Sequence, residues 1–512
     1  MRASPAPRAG NSAFMPGDSH RAARIAVTAI TASIVLMVIS GALGPGNPLL
    51  VYPAAPPWPV WFVQVHLATS LRPILPWIAV LLSATGLAAG LISIRQGWRP
   101  NPKHLIAGSV IAVSALTVIP PVSAIDSLEY YAVYGRVALL GHNPYEAGSE
   151  KWLPPGDPIA TSLDQFPRLF PLPSSGYGPT ATATEEAAAA LAGDSPARIL
   201  FWLKVWNAVA YLALVLVLDR LMRSDPARRV RVHLLWSVNP LMLFLLMADG
   251  HNDALGTALG ASALFAMRKS RLSRAFWAGV LLVLATTVKA TYVMFGVGVA
   301  WAARRSPRSL AAVAAGAVAV LIPFCLINGW STLKATTSSV VSGTPSNLLW
   351  HDLARVVSHG HAGAVTNVIG LLASGALAIV LLWRLPQGPA DLPGVREALA
   401  LILAFLFVSP YLQAWYDAML FSLLAVITAS RLDWVVLAQA TALSIYSVIY
   451  FYPTHHPTLW ELFERYGTDV PYTLILVGSV VALLWLCWTR NWGQAAPDEL
   501  VPGAPVALGE TV

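Results

Sequence analysis

Residues 105–122 read Leu-Ile-Ala-Gly-Ser-Val-Ile-Ala-Val-Ser-Ala-Leu-Thr-Val-Ile-Pro-Pro-Val, and the chain continues Ser123-Ala-Ile-Asp126-Ser-Leu-Glu129-Tyr130-Tyr131. The first part is an uncharged apolar run, long enough as a helix to cross about 30 Å of hydrocarbon. The second sets two carboxylates where that helix leaves the lipid, a costly place unless they line water or a site. The stretch reads as a membrane span that opens onto chemistry at a membrane face.

Working outward, the same character fills the chain. Its 512 residues are 56% hydrophobic and 11% charged, with a mean hydropathy of +0.61, whereas soluble domains carry about 25% charged residues. Apolar spans fall near 25–43, 74–94, 105–122, 198–218, 232–247, 254–267, 309–327, 363–383, 397–410, 412–430, 434–451 and 471–488. No polar stretch has the size of a separate soluble domain. The span at 25–43 is too long for the apolar part of a signal peptide and lacks a clear cleavage site after it, so it reads as a retained first helix. The expected organisation is a disordered tail 1–24, a transmembrane domain 25–490 and a disordered tail 491–512.

A net charge of +8 does not point to nucleic acid, because the bases form no groove or patch. They sit in short loops between spans: Arg95–Lys103, Arg220–Arg231, Arg268–Arg274, Arg304–Arg308, Arg384–Arg396, Arg431 and the Arg490 tail. That is the positive-inside signature and places these loops and both termini in the cytoplasm. The acids gather on the opposite side, above all in a large outer loop, 123–197. Cys325 and Cys487 both lie in apolar runs, without disulfide or zinc-type spacing. Nothing in the sequence fixes an oligomeric state.

One segment strains the scheme. Phe276–Trp301 could be a single tilted helix, yet both flanks are basic. One crossing would expose a basic cluster outside and leave Lys289 to snorkel. Two short half-passes turning near Lys289 would keep both clusters inside, with the lysine in a cavity that satisfies the freed backbone. The count is then about 12–14 transmembrane helices in an all-α bundle.

Several polar groups on the outer side carry candidate chemistry. In a helix, Asp126, Glu129 and Tyr130 share one face, with Tyr134 a turn further on. A carboxylate beside phenols and Arg136 suits a base that activates a sugar hydroxyl, although an interfacial helix with solvated acids gives the same pattern. In Asp249-Gly-His251-Asn252-Asp253, one side chain can cap the next helix. The others are left to hold sugar hydroxyls, and His251 with Asp253 is weak evidence for a metal. Lys289, with Thr286, Thr287 and Thr291, suits a phosphate. Trp415 and Tyr416 close the aromatic turn Ser409-Pro-Tyr-Leu-Gln-Ala-Trp-Tyr, where rings stack on sugars or on interfacial lipid. No P-loop, Rossmann fingerprint or Gly-x-Ser-x-Gly elbow is present in the sequence.

In this order the motifs resemble the GT-C superfamily of multi-pass glycosyltransferases. More narrowly, they resemble its actinobacterial polyprenol-phosphate-mannose-dependent α-(1→6)-mannosyltransferases. The resemblance rests on Asp126 and the Tyr-rich sequence after it, Gly141-His-Asn143-Pro-Tyr145, Tyr177-Gly-Pro179, Gly250-His-Asn-Asp253, Lys289 and Ser409-Pro-Tyr to Tyr416. It covers all but the tails. One departure is the late turn, which lacks a compact Pro-Trp-Tyr.

The resemblance implies an extracytoplasmic site in which mannose moves, with inversion, from a polyprenyl-phosphate sugar to a lipid-linked or polysaccharide acceptor. Asp126 would be the catalytic base. Lys289 and Arg136 would face the donor phosphate. Glu129, Tyr130, Tyr134, Asn143, Tyr177, His251, Asn252, Asp253, Trp415 and Tyr416 would hold sugar or acceptor. No metal or cofactor is implied, and the other partners are membrane lipids. The rival class is a transporter or flippase for lipid-linked sugars, which would gather its polar groups near the midplane rather than at one face.

Overall fold

The computed structural model describes residues 16–43, 74–122, 127–163, 174–269, 271–328, 345–409, 412–450 and 470–493. Among the described residues all regular structure is helical. The helices are α1 (Pro16–Ala42), α2 (Ile74–Arg95), α3 (Pro102–Thr117), α4 (Val133–Leu139), α5 (Pro158–Leu163), α6 (Pro179–Ala192), α7 (Pro196–Leu221), α8 (Pro226–Val232), α9 (Pro240–Leu243), α10 (Asp253–Ala266), α11 (Leu272–Thr286), α12 (Met294–Ala303), α13 (Pro307–Asn328), α14 (Pro345–Ala354), α15 (His359–Arg384), α16 (Val395–Val408), α17 (Asp417–Leu424), α18 (Leu432–Tyr450) and α19 (Val470–Thr489). Local sequence sets several starts. Asn101, Ser195, Asp225 and Asn239 each cap a helix whose first residue is proline, which uses the side-chain acceptor and the missing N–H together.

Among the described residues, seven helical stretches are long and apolar enough to cross a membrane, and five more apolar helices are shorter. This is an all-α multi-pass membrane protein. The stretch Pro226–Ala248 is the core of the bundle, 94% buried, whereas Pro307–Ile327 is 11% buried and presents its apolar side chains to the surroundings. The core stretch is not one regular helix. π-helical turns at His233–Ser237 and Phe244–Ala248 flank the Asn239–Pro240 break.

The basic loops meet at one end. Arg231 makes a bidentate pair with buried Asp433 at 2.6 and 2.9 Å, and Arg95 reaches the same carboxylate at 3.6 Å. Asp391 joins Arg228 (3.6 Å) to Arg268 (3.2 Å). The Trp492 indole donates to the Arg384 carbonyl, and the Trp492 carbonyl accepts from Arg431. Loops far apart in sequence thus share one end, as the charge pattern requires.

The structure also decides the strained segment. α11 stops at Thr286, Lys289 is extended, and α12 follows a short 3₁₀ turn at Ala290–Val293. Chain direction reverses there. A Cβ built on Gly296 would lie 3.1 Å from Leu282, although in a straight helix fourteen residues would separate the two by about 21 Å. α12 then runs alongside α10 in the same direction. Gly256 packs on Tyr292, Gly260 on Phe295 and Gly298 on Leu264. The segment is therefore two short helices turning at Lys289. At about 1.5 Å per residue, α10 and α11, with 14 and 15 residues, fall short of a hydrocarbon layer of about 30 Å. Their polar tips therefore need a protein-lined recess.

Candidate active site

The tips of α10 and α11 converge on Lys289. Its ammonium, nearly buried, donates to Asp253 Oδ2 at 2.6 Å, and the Tyr292 hydroxyl donates to Asp253 Oδ1 at 2.6 Å. Three rings surround the cation, with centroids at 5.3 Å (Tyr177), 5.7 Å (Trp415) and 5.3 Å (Tyr416). Desolvated, such contacts hold a cation by ring quadrupoles as well as by its counter-ion. The Trp415 indole also stacks on His251 at 3.7 Å. Burial and the neighbouring Lys289 charge push the imidazole well below its ordinary pKa, so it is neutral.

Of the hydroxyls expected near this lysine, those of Thr286 and Thr287 bond elsewhere. Thr286 Oγ1 donates to the Val283 carbonyl, and Thr287 Oγ1 donates to the same carbonyl and meets Thr180 Oγ1 at 2.7 Å. Aromatic rings take the place assigned to those threonines.

Two buried polar residues of α7 hold the loops around the site. Lys204 Nζ donates to the Ile119 carbonyl (2.8 Å) and to the Ala248 carbonyl (3.3 Å), while Asn207 Nδ2 donates to the Gly250 carbonyl (2.8 Å). The Val122 N–H also bonds to the Ala248 carbonyl. Gly250 has φ +85°, a backbone state that side chains resist and glycine takes freely. It swings His251–Asp253 toward the lysine. Asn252 precedes α10 but makes no capping bond, and its side chain has no hydrogen-bond partner among the described residues. The capping role expected within this motif is therefore not filled by Asn252.

A second layer covers the Lys289 turn. The N–H of Gly178 bonds to the Val288 carbonyl, and those of Thr180 and Ala181 to the Thr287 carbonyl, so α6 is seated on the hairpin. Asn143 accepts from the Tyr145 N–H, the Tyr145 hydroxyl meets Thr182 Oγ1 at 3.0 Å, and the Pro144 carbonyl accepts from Ser175. The Asn-Pro-Tyr motif thus braces α6 from behind. Burial pushes the Tyr145 phenol up to about 12. Facing α6 across α4, Gly135 lies so close that an added Cβ would sit 2.3 Å from the Glu185 carbonyl oxygen.

Of the residues singled out from sequence, Tyr134, Tyr177, His251, Asp253, Lys289, Trp415 and Tyr416 are linked by contacts, with Tyr130 against Tyr134 at 6.1 Å and Tyr134 against Tyr177 at 6.4 Å. Asp126 lies outside the described residues, as do Pro410 and Tyr411. Glu129 belongs to a π-helical turn, Ser127–Ala132, and its side chain lies outside what the structure describes. Arg136 and Asn143 are not brought to the cluster. Arg136 pairs with Asp157 at 3.0 Å and Asp194 at 2.8 Å. Burial works against that guanidinium, but the two carboxylates raise its pKa further still.

Sequence reasoning missed Tyr292, Lys204, Asn207 and Glu185, and it named Asp417 only as the end of the aromatic turn. Asp417 and Glu185 are buried, and neither carboxylate has a hydrogen-bond partner among the described residues. Burial pushes the Glu185 carboxyl well above its ordinary value, and the nearby Lys289 charge pulls it back only in part.

Residues 27–305 match the pattern described as alpha-(1->6)-mannopyranosyltransferase, N-terminal domain, of the MptA_B family. The chain belongs to this family. Lys289 and Asp253 lie inside the matched region, and Trp415 and Tyr416 beyond it. No curated protein and no solved structure matches the chain. Family membership and the helical bundle together make it a membrane mannosyltransferase, which acts on a sugar donor and a glycan acceptor.

Proposed function

We propose that this mannosyltransferase is of the GT-C type. In this reading it moves mannose from polyprenyl-phosphate mannose to a lipid-linked mannan or related glycan, forming an α-(1→6) bond with inversion. The site would open on the extracytoplasmic face of the cytoplasmic membrane, with both termini in the cytoplasm. One observation carries the reading. The buried Lys289 ammonium, paired with Asp253, sits at the tip of two short helices, walled by aromatic rings and placed away from the end where the basic loops meet. A phosphate attached to a membrane lipid would find a cation and sugar-stacking faces there, recessed below the membrane surface.

The chemistry asks little of the protein beyond placement. An acceptor hydroxyl attacks the anomeric carbon from the face opposite the phosphate, through an oxocarbenium-like state, and a carboxylate takes its proton. Asp126 is assigned that role. The chain is held on both sides of it, at Val122 by the Ala248 carbonyl and at Tyr131 by the Tyr177 ring, 5.1 Å between centroids. The leaving phosphate already bears negative charge, so it needs a cation rather than a strong acid. Lys289 supplies it, shifting from Asp253 toward the phosphate as charge develops. Neutral His251, Asn252, Tyr177, Trp415 and Tyr416 would bind the sugars. Glu129, Tyr130 and Tyr134 would line the approach of the acceptor.

The test is turnover of polyprenyl-phosphate mannose onto a mannoside acceptor by purified protein, beside Asp126→Asn. Product from wild type that disappears in the variant, with donor binding and melting temperature retained, supports the reading. Undiminished turnover by Asp126→Asn removes the proposed base.

A further inference from the structure

Glu185 is a site-end carboxylate whose helix is fixed from several sides. Its residue is 1% exposed, and neither carboxylate oxygen has a hydrogen-bond partner among the described residues. Its backbone is clamped by Gly135, and its helix is pinned to the Lys289 turn by three backbone hydrogen bonds and the Thr180–Thr287 hydroxyl pair. The Lys289 charge acts on the carboxylate, and the carboxylate on the Tyr145 phenol. Lys289 is already paired, at 2.6 Å, with Asp253. Glu185 is therefore not needed as its counter-ion. A buried carboxyl group whose oxygens have no partner among the described residues is costly unless something else completes it.

We infer that Glu185 reads a hydroxyl of the mannosyl ring carried by the donor. This rests on the proposed function, in which Lys289 faces the donor phosphate. The transferred ring is bonded directly to that phosphate, so a group near Lys289 meets that ring before it meets the acceptor. A carboxyl accepts from a sugar hydroxyl when ionised and both donates and accepts when protonated, so either state can serve. A site built to pair with a hydroxyl rejects the analogue that lacks it, because the buried protein group is then left unpaired.

The experiment uses the full chain in lipid nanodiscs with polyprenyl-phosphate mannose, its monodeoxy-mannosyl analogues, and normal and deoxygenated mannoside acceptors. For wild type, kcat/KM should fall on the order of 10- to 100-fold for one particular deoxy donor, the range of a hydrogen bond involving a charged group. In Glu185→Ala that penalty should shrink to within a few-fold, and in the isosteric Glu185→Gln it should be intermediate. Glu185→Gln also guards against loss of fold in the alanine variant. The same deoxy-donor penalty in wild type and both variants overturns the inference while leaving the donor assignment standing. A penalty that tracks a deoxygenated acceptor instead also overturns it. Inactivity of wild type on the parent donor overturns the donor assignment, and this inference with it.

Discussion

Replacing Lys289 by methionine should separate stability from turnover in a way that only a buried functional ion pair can. Asp253 is fully buried, and its charge is balanced by Lys289 at 2.6 Å, with the Tyr292 hydroxyl as its other partner. Removing the lysine alone leaves a buried carboxylate with one neutral donor, a change that costs about 3–5 kcal/mol. At about 2.1 cal/mol/K of unfolding entropy per residue, 512 residues give about 1.1 kcal/mol/K. The loss then corresponds to at least about 3 °C in melting temperature, and to more if helices persist in the unfolded state. Adding Asp253→Asn removes the stranded charge, so Lys289→Met/Asp253→Asn should recover most of that stability. Turnover should not recover. Loss of one preorganised group that stabilises a leaving oxyanion costs about 10²–10³ in kcat, and the double variant still lacks it. The assay pairs tryptophan-fluorescence melting with initial rates at saturating donor. A double variant that regains both stability and rate would show that Lys289 serves the fold alone. A single variant as stable as wild type would refute the buried-charge argument.

At the opposite end, Arg231→Met should leave buried Asp433 only the longer Arg95 contact and the Ser430 N–H, at a cost of up to about 3–5 kcal/mol, and Arg231→Met/Asp433→Leu should recover most of it. In both, kcat of the folded fraction should stay unchanged, and a changed kcat would mean that the two ends are coupled. Gly135→Ala should force α4 and α6 apart, because the new Cβ would fall 2.3 Å from the Glu185 carbonyl oxygen. That should cost about 1–3 kcal/mol and lower activity with it, and a neutral result would show the two helices to be loosely joined. For Glu185, a folded-state pKa raised above 4.5 means that the folded protein holds its proton longer than the unfolded chain does. Wild type should therefore lose stability relative to Glu185→Gln as pH climbs above about 4.5. Melting curves of the two, compared across pH, should diverge in that direction and not the reverse.

The fold was legible because lipid imposes few solutions. Span lengths and basic loops left two paths for 276–301, one crossing or a hairpin that keeps Arg268–Arg274 and Arg304–Arg308 at one end, and the reversal at Lys289 selects the hairpin. The candidate cluster was legible wherever a motif is a chain break in an apolar stretch, as at Gly250–Asp253 and Lys289, which the structure brings together. It was less so where function depends on which face of a helix turns inward. Glu185 and Glu186 are adjacent, and composition cannot choose between them. The choice was nonetheless written in the spacing. Ala181, Glu185, Ala188 and Ala192 form the buried stripe of α6, so a carboxylate sits inside a row of alanines. Arg136 failed for the converse reason. It follows Tyr134 by two residues and so leaves a short helix on another side, where Asp157 and Asp194 pair with it. Neither partner is near it in sequence.

The division of the site between matched and unmatched sequence bears on how such an enzyme can change specificity. Lys289, Asp253, His251 and Tyr177 all lie within residues 27–305, on helix tips and loops braced by Lys204, Asn207 and the α6 seat. The aromatic wall comes from beyond that region, from Trp415 and Tyr416 at the start of α17. Trp415 reaches back to stack on His251, and both rings cover Lys289. The charged groups cannot be moved without stranding a buried partner, so substitutions there carry a large penalty. The rings contribute through shape and stacking, worth about 0.5–1.5 kcal/mol each beyond burial, and can be exchanged at far lower cost. Under the proposed function, exchanging Trp415 or Tyr416 should therefore retune which glycan is accommodated while the Lys289–Asp253 pair stays as it is.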